Sequence, residues 1–363
     1  MCILFSTIAY CVVGCNTGAA DRQSLHLLAC DTESGSVRIV QSCRGFQGST
    51  YFQLDASRTH LYSMVGEKTA KRTQGVLVRF PLAKDADGVP RIGGMERLAD
   101  LPCETPCHVA LSPDDSLLSF ASYLSGTAGT LDLRTRTLST FVFPNDDMGP
   151  NRPRQPKAYA HCCFYGQGDR VGVVDLGCDR IWFFDPKTMR RDESISIKAA
   201  RGDGPRHVVW SKDGRHLFVV NELGSSVTTW RFDGRAWKAV GTWSTLPDGF
   251  DRFEKDRETL STKAAAIKLT ADGKVLMASN RGCDSIAFFD VDEPTGRLTR
   301  RNVAKLRGRF PRDFELMPGE KFMVVGHKMS DEVQVYRFDR GCCTLEPIGE
   351  PLAIWRPLCF KFL

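Results

Sequence analysis

A motif of about fifty residues returns along this chain, and no other feature narrows its fold so far. Each copy holds a short apolar strand, a turn, and a second apolar strand ending in polar residues. The clearest copy runs Arg206-His207-Val208-Val209-Trp210, turns at Lys212-Asp213-Gly214, and resumes as Leu217-Phe218-Val219-Val220-Asn221-Glu222. A second runs from Ala265 through Ala271-Asp272-Gly273 to Asn280-Arg281, and a third from Arg312 through Pro318-Gly319 to His327-Lys328. Weaker copies start at Thr50, Cys107 and Ala160, the last turning at Gly166-Gln167-Gly168. Successive starts are 57, 53, 46, 59 and 47 residues apart, and a seventh start near Leu358 follows after 46 more. A third strand follows each clear hairpin, as in Ser226 to Phe232, Ser285 to Asp290 and Glu332 to Phe338; a weaker fourth follows, as at Leu345 to Ile348.

Four strands per repeat and about seven repeats predict an all-β, seven-bladed propeller with four-stranded antiparallel blades, one domain over residues 1–363. Length alone suggests about two domains, but a closed ring accounts for the whole chain. Cys359-Phe360-Lys361-Phe362-Leu363 reads as a first strand with nothing after it. The strands near Ala9–Val13, Leu25–Cys30 and Val37–Val40 lack a first strand before them. Joining the two closes the ring through the C-terminal strand and removes exposed sheet edges. An open solenoid would need polar capping repeats, and none is visible.

Composition agrees: 42% apolar, 25% charged, 32 Gly and 18 Pro describe a turn-rich globular protein rather than a disordered or fibrous one. The net charge of +6 is spread along the chain, so no nucleic-acid partner is expected. Arg300, Arg301, Lys305, Arg307, Arg309 and Arg312 read as a solvated connection between blades, and the mixed run Arg252 to Glu258 as a solvated insertion. The opening Met1 to Cys15 lacks a basic flank and is broken at Ser6-Thr7, so it reads as a buried strand rather than a signal peptide. No run approaches the ~20 apolar residues of a membrane span. Fourteen cysteines form no CxxC pair, and Cys162-Cys163 and Cys342-Cys343 are adjacent. Neighbours in a strand face opposite ways, which suits buried thiols in a reducing, cytoplasmic setting. Metal and cofactor are not expected, because zinc-ligand spacing is missing. Nucleophile-elbow, phosphate-loop and zinc-helix motifs are missing too.

In a blade, the residues before strand one and after strand two share one rim. Arg206 and Arg312 occupy the start position, His108, His161 and His207 the next, and Glu222, Arg281 and Lys328 the place sixteen beyond the start. Arginine forks bind carboxylate or phosphate, histidine titrates near neutrality, and a carboxylate beside them orients or activates. Catalysis is therefore expected of His161, Arg206, Glu222 and Arg281, and substrate binding of His108, His207, Arg312 and Lys328.

Gly204-Pro205-Arg206-His207 with Asn221-Glu222-Leu223 resembles the lactonase family of seven-bladed propellers, which includes propeller-type 6-phosphogluconolactonases and 3-carboxy-cis,cis-muconate cyclases. Pro106-Cys107-His108, Ala160-His161, Ala278-Ser279-Asn280-Arg281-Gly282, Thr295-Gly296-Arg297-Leu298 and Pro311-Arg312-Asp313-Phe314 extend the resemblance along the chain. It implies a site of one His, two Arg and one Glu, which fall on His161, Arg206, Arg281 and Glu222. The chain departs from the family at Tyr159, where a second His is common, at Ala266, where an acid is common, and at His327-Lys328, where Asn-Gln is common. A lost carboxylate and a gained lysine make the mouth more cationic.

The resemblance implies metal-independent hydrolysis of a small anionic sugar lactone, first of all 6-phosphoglucono-1,5-lactone in the pentose phosphate route. Glu222 or His161 would activate water, while Arg206 and Arg281 would hold the substrate and the oxyanion. Two other readings stand beside it: a cycloisomerase acting on a carboxymuconate-type diacid, and a catalytically silent propeller that serves as a scaffold. No membrane partner is expected, and the oligomeric state is left open.

Overall fold

In the computed structural model, the strands nearest the axis follow one another around a closed circle. The structure describes residues 7–18, 20–70, 72–166, 168–254 and 259–363. The inner strands are Phe52–Leu54, His108–Leu111, Ala160–Tyr165, Pro205–Trp210, Lys263–Leu269, Pro311–Leu316 and Pro357–Phe362. Each touches the next, and the last returns to the first. Seven antiparallel sheets radiate from them, giving the all-β, seven-bladed propeller read from the repeat. The expected starts fall at or within two residues of the inner strands.

The closure is also as expected. Pro357–Phe362 is the inner strand of the first blade, outside which lie Ile8–Cys15, Leu25–Asp31 and Val37–Cys43 in order. Residues 1–6, which the buried-strand reading included, lie outside the described residues. The second blade adds a short strand, Pro90–Ile92, at the far end of Thr73–Lys84. Gln41 of the first blade covers it: its Oε1 accepts from Ile92 N–H at 2.8 Å and its Nε2 donates to Ile92 C=O at 2.7 Å.

Burial explains why some strands are plain in the sequence and others faint. Second strands such as Leu117–Ser122, His216–Asn221 and Phe322–His327 are buried at every residue, because neighbouring blades cover both faces. Such strands must be apolar nearly throughout. Outer strands such as Trp237–Ser244 are half-buried or exposed and so carry mixed polarity. The core lies between blades; Phe288 stacks on Phe338 of the next blade with centroids 5.4 Å apart. The thirteen described cysteines are free thiols, and Cys162 and Cys163 enter different clusters on opposite faces of their strand.

One ionic chain crosses the closure. Lys268 Nζ reaches Glu315 Oε2 at 2.8 Å and Asp313 Oδ1 at 3.7 Å, while Asp313 Oδ2 accepts from Phe360 N–H at 3.0 Å. Three consecutive inner strands are thereby joined. Lys268→Met leaves two partly buried carboxylates without their cation. It is expected to lower the unfolding free energy by about 2 kcal/mol, less than the ~3–5 kcal/mol of fully buried pairs. Denaturant titration with an unchanged m-value checks this; a midpoint equal to the parent's would show that the chain does not hold the closure.

Candidate active site

A β-bulge recurs at one place in the ring and supplies the side chains of the mouth. Arg206 is the extra residue between the pairs Pro205↔Asn221 and His207↔Val220. His161 is extra between Ala160↔Asp175 and Cys162↔Val174, and Arg312 between Pro311↔His327 and Asp313↔Gly326. Leu358 holds the corresponding place in the first blade. A bulge inserts one residue and re-aims its side chain, so His161, Arg206 and Arg312 are structural equivalents. This corrects the spacing argument, which set His161 beside His108 and His207, one place later. The fourth-blade hairpin, Ala160 to Asp175, is one residue shorter than Pro205 to Asn221 and Pro311 to His327, and that displaces the count.

The ends of the second strands form the other half of the mouth. Asn221 and Asn280 stand at these ends, each donating from Nδ2 to the serine five residues on, Ser226 at 3.0 Å and Ser285 at 3.1 Å. The next residue is Glu222 in one blade and Arg281 in the other. Lys328 follows the strand in the seventh blade, and Tyr123 holds the same place in the third.

These elements line one pocket of about 550 Å³ on the axis, within the size range of small-molecule sites. Of the expected residues, His161, Glu222, Arg281, Arg312 and Lys328 stand on its wall. Arg206 lies behind Glu222, 2% exposed. His108 and His207 sit one layer deeper and are not on the wall. The His108 ring stacks on Tyr51 at 3.9 Å and lies edge-on to His207 at 5.3 Å, so these rings fill the channel beneath the pocket. Cys163 N–H approaches His108 Nδ1 at 3.4 Å. His207 Nε2 accepts from Arg206 Nη1 at 3.3 Å, which leaves its proton on Nδ1.

Glu222, 2% exposed, is gripped by three guanidinium groups. Oε2 meets Arg206 Nε at 3.0 Å and Arg281 Nη2 at 2.7 Å; Oε1 meets Arg154 Nη2 at 2.6 Å. Burial alone would raise its proton affinity, but Arg281, Arg206 and Arg154 together hold the carboxyl well below the usual carboxylate range. It is a fixed anion and a poor base. Burial, then Arg312 and Arg281, pull Arg206 down to about 9, so it remains a cation at neutral pH.

His161 is in the opposite condition. Burial first, then Arg206, hold its imidazole well below the ordinary histidine range, and Glu222 only partly opposes them. It is therefore neutral at neutral pH, the protonation state a general base needs. Among the described residues its Nδ1 has no hydrogen-bond partner. The ring is held edge-on by Tyr123 at 5.4 Å and His207 at 5.2 Å.

Among the charged and phenolic wall residues, Arg154, Tyr123 and Lys263 escaped the repeat arithmetic. Arg154 comes from the segment between the third and fourth blades, which the buried Gln155 pins through Nε2 to Leu176 C=O at 2.9 Å and to Asp179 Oδ1 at 2.7 Å. That segment lies outside the repeat and carries no motif. Tyr123 was legible, standing sixteen residues after the Cys107 start. Tyr159 stacks flat on it, 4.1 Å away, and so backs one wall of the pocket. The two other departures point elsewhere: Ala266 is in the core, and buried His327 meets Tyr336 OH at 3.2 Å. In the insertion, Arg252 and Glu254 are exposed as expected. Phe253 pairs with Leu260 instead and packs beside Tyr123 and Tyr159. Residues 255–258 lie outside the described residues, as does Gln167 of the expected turn.

The site thus offers a neutral imidazole, guanidinium groups facing a common space, and a carboxylate that keeps them in register. Among the described residues no three His, Cys, Asp or Glu side chains cluster as metal ligands, and no helix is long and apolar enough to cross a membrane.

A family model described as lactonase, 7-bladed beta-propeller, matches residues 10–362. The 6-phosphogluconolactonase of Bacillus subtilis strain 168 is 26% identical over 347 residues, covering 94% of this chain and 95% of its own. A solved structure of a protein from Lactobacillus plantarum aligns with a TM-score of 0.82 at 26% identity, covering 98% of this chain and 99% of that one. A periplasmic gluconolactonase of Pseudomonas aeruginosa aligns with a TM-score of 0.83 at 22% identity, over 98% of this chain and 99% of that one. At that identity the likeness is one of fold.

Proposed function

The chain belongs to the lactonase family of seven-bladed β-propellers, and from that premise we propose that it hydrolyses 6-phosphoglucono-1,5-lactone to 6-phosphogluconate. The family and the relatives' names support a hydrolase. The narrower reading rests on one observation: neutral His161 and cationic Arg281 face the same pocket, with Arg154 at its edge and Glu222 ordering both arginines.

In this reading His161, rather than Glu222, removes a proton from water as it attacks the lactone carbonyl. The carbonyl oxygen becomes an oxyanion, which Arg281 and Arg154 stabilise in a site with little water, the setting where such electrostatic help is largest. Collapse breaks the ring C–O bond, and imidazolium returns its proton to the departing ring oxygen. Arg206 does not touch the substrate; it neutralises Glu222 from behind. Water is activated by imidazole without a metal, and free thiols suit the cytoplasmic setting proposed with it.

The test is a coupled assay with freshly generated 6-phosphogluconolactone, corrected for spontaneous hydrolysis, with a carboxymuconate in parallel. Enzyme-dependent lactone opening supports the reading. Turnover of the muconate alone would assign a cycloisomerase, and no turnover of either would leave a scaffold.

A pH dependence follows from Lys328. Burial, with Arg312, Arg356 and Arg281 nearby, pulls its ammonium down to about 8. Below that pH it is a cation on the pocket wall; above it the charge is lost. Affinity for the product 6-phosphogluconate is expected to weaken several-fold as pH rises through about 8, and product-inhibition constants measured across that range check the direction.

A further inference from the structure

The fifth and seventh blades place unlike chemistry at like positions. In the fifth, the bulged residue is Arg206 and the residue sixteen on is Glu222, paired at 3.0 Å. In the seventh, the same two positions hold Arg312 and Lys328, both cationic and both on the pocket wall. Among the described residues neither side chain makes a hydrogen bond or an ion pair; Lys328 only overlies the Phe310 ring at 5.9 Å. Glu222 acts on Arg312 only through space, partly favouring its charge, because its two oxygens are already paired with Arg154, Arg206 and Arg281. The seventh blade thus lacks the anion that the fifth contains.

We infer that Arg312 and Lys328 form an anion subsite, separate from the Glu222 cluster, that takes a phosphomonoester group of the ligand. Two adjacent single cations are matched by a dianion better than by a monoanion, and a phosphomonoester is largely a dianion at neutral pH. Lysine binds phosphate as a point charge and arginine as a fork, so the pair needs no planar carboxylate between them. The surplus of cations bears on both groups: burial, then Arg281, lower Arg312 with Glu222 partly opposing, and burial, then Arg312, lower Lys328. The inference rests on the lactone reading only in choosing an ester of phosphate as the anion, and it adds which residues demand it.

Calorimetric titration of the full chain with inorganic phosphate, 6-phosphogluconate, gluconate and succinate tests this. The parent is expected to bind inorganic phosphate and to prefer 6-phosphogluconate over gluconate by about tenfold or more. Lys328→Gln and Arg312→Gln, checked for folding by thermal melts, are each expected to lose about tenfold in phosphate affinity and to narrow that preference. Equal binding of gluconate and 6-phosphogluconate, tighter binding of succinate than of phosphate, or variants that keep phosphate affinity would overturn the subsite even in a working lactonase. Phosphate binding that depends on both residues, in a protein that opens no lactone, would uphold the subsite and remove the hydrolase reading.

Discussion

Glu222→Gln is expected to lower kcat/KM for the lactone by about a thousandfold and to destabilise the fold by about 3–5 kcal/mol. The substitution keeps the shape and removes the charge. It leaves Arg206, 2% exposed, and Arg281, 5% exposed, with no carboxylate between them. Uncompensated buried charge is the costlier half of a broken ion pair. The catalytic loss has a second source, since Arg281 and Arg154 would no longer be held toward one point. A companion variant separates the two effects. Adding Arg206→Leu to Glu222→Gln removes the stranded charge, so stability is expected to recover in part while turnover stays low. If turnover recovers along with stability, Glu222 acts only through folding.

His161→Ala is expected to reduce kcat by roughly two to four orders of magnitude, the range for a lost general base. Its pH profile adds a sign. Burial and Arg206 keep the imidazole well below the ordinary histidine range. A base must be unprotonated, so the parent should keep its rate from neutral into mildly acidic pH and lose it only as pH falls through that lowered value. A rate that instead falls through the ordinary histidine range would place the working base elsewhere. A loss below about tenfold would exclude His161 from proton transfer.

Most of the architecture could be read from residue pattern because a propeller repeats one burial problem seven times. Inner and second strands are covered by neighbours and must be apolar, as in Leu217 to Asn221, while outer strands such as Trp237–Ser244 answer to solvent and blur. The site was legible where spacing is constant. Glu222, Arg281 and Lys328 follow second strands of regular length and stand together on the wall. Spacing misled where one hairpin is a residue shorter: Ala160 pairs with Asp175 as Pro205 does with Asn221, which aligns His161 with Arg206 and leaves His207 one place on. Arg154 could not have been found this way, since its segment belongs to no repeat and is set by the buried amide of Gln155. The gap in charge at Arg312 and Lys328 needed both kinds of knowledge, repeat arithmetic to find the equivalent pair and coordinates to show that it has no partner.

The strand Pro357–Phe362 imposes an order on biosynthesis. Its neighbour Ile8–Cys15 leaves the ribosome more than three hundred residues earlier. Until the latch arrives, a nascent chain carries an unsatisfied strand edge at one end and six blades that cannot yet meet around the axis. Leu363 N–H itself donates to Tyr10 C=O at 2.8 Å. A stalled or prematurely released product that lacks this strand would therefore be a ready partner for another chain's edge.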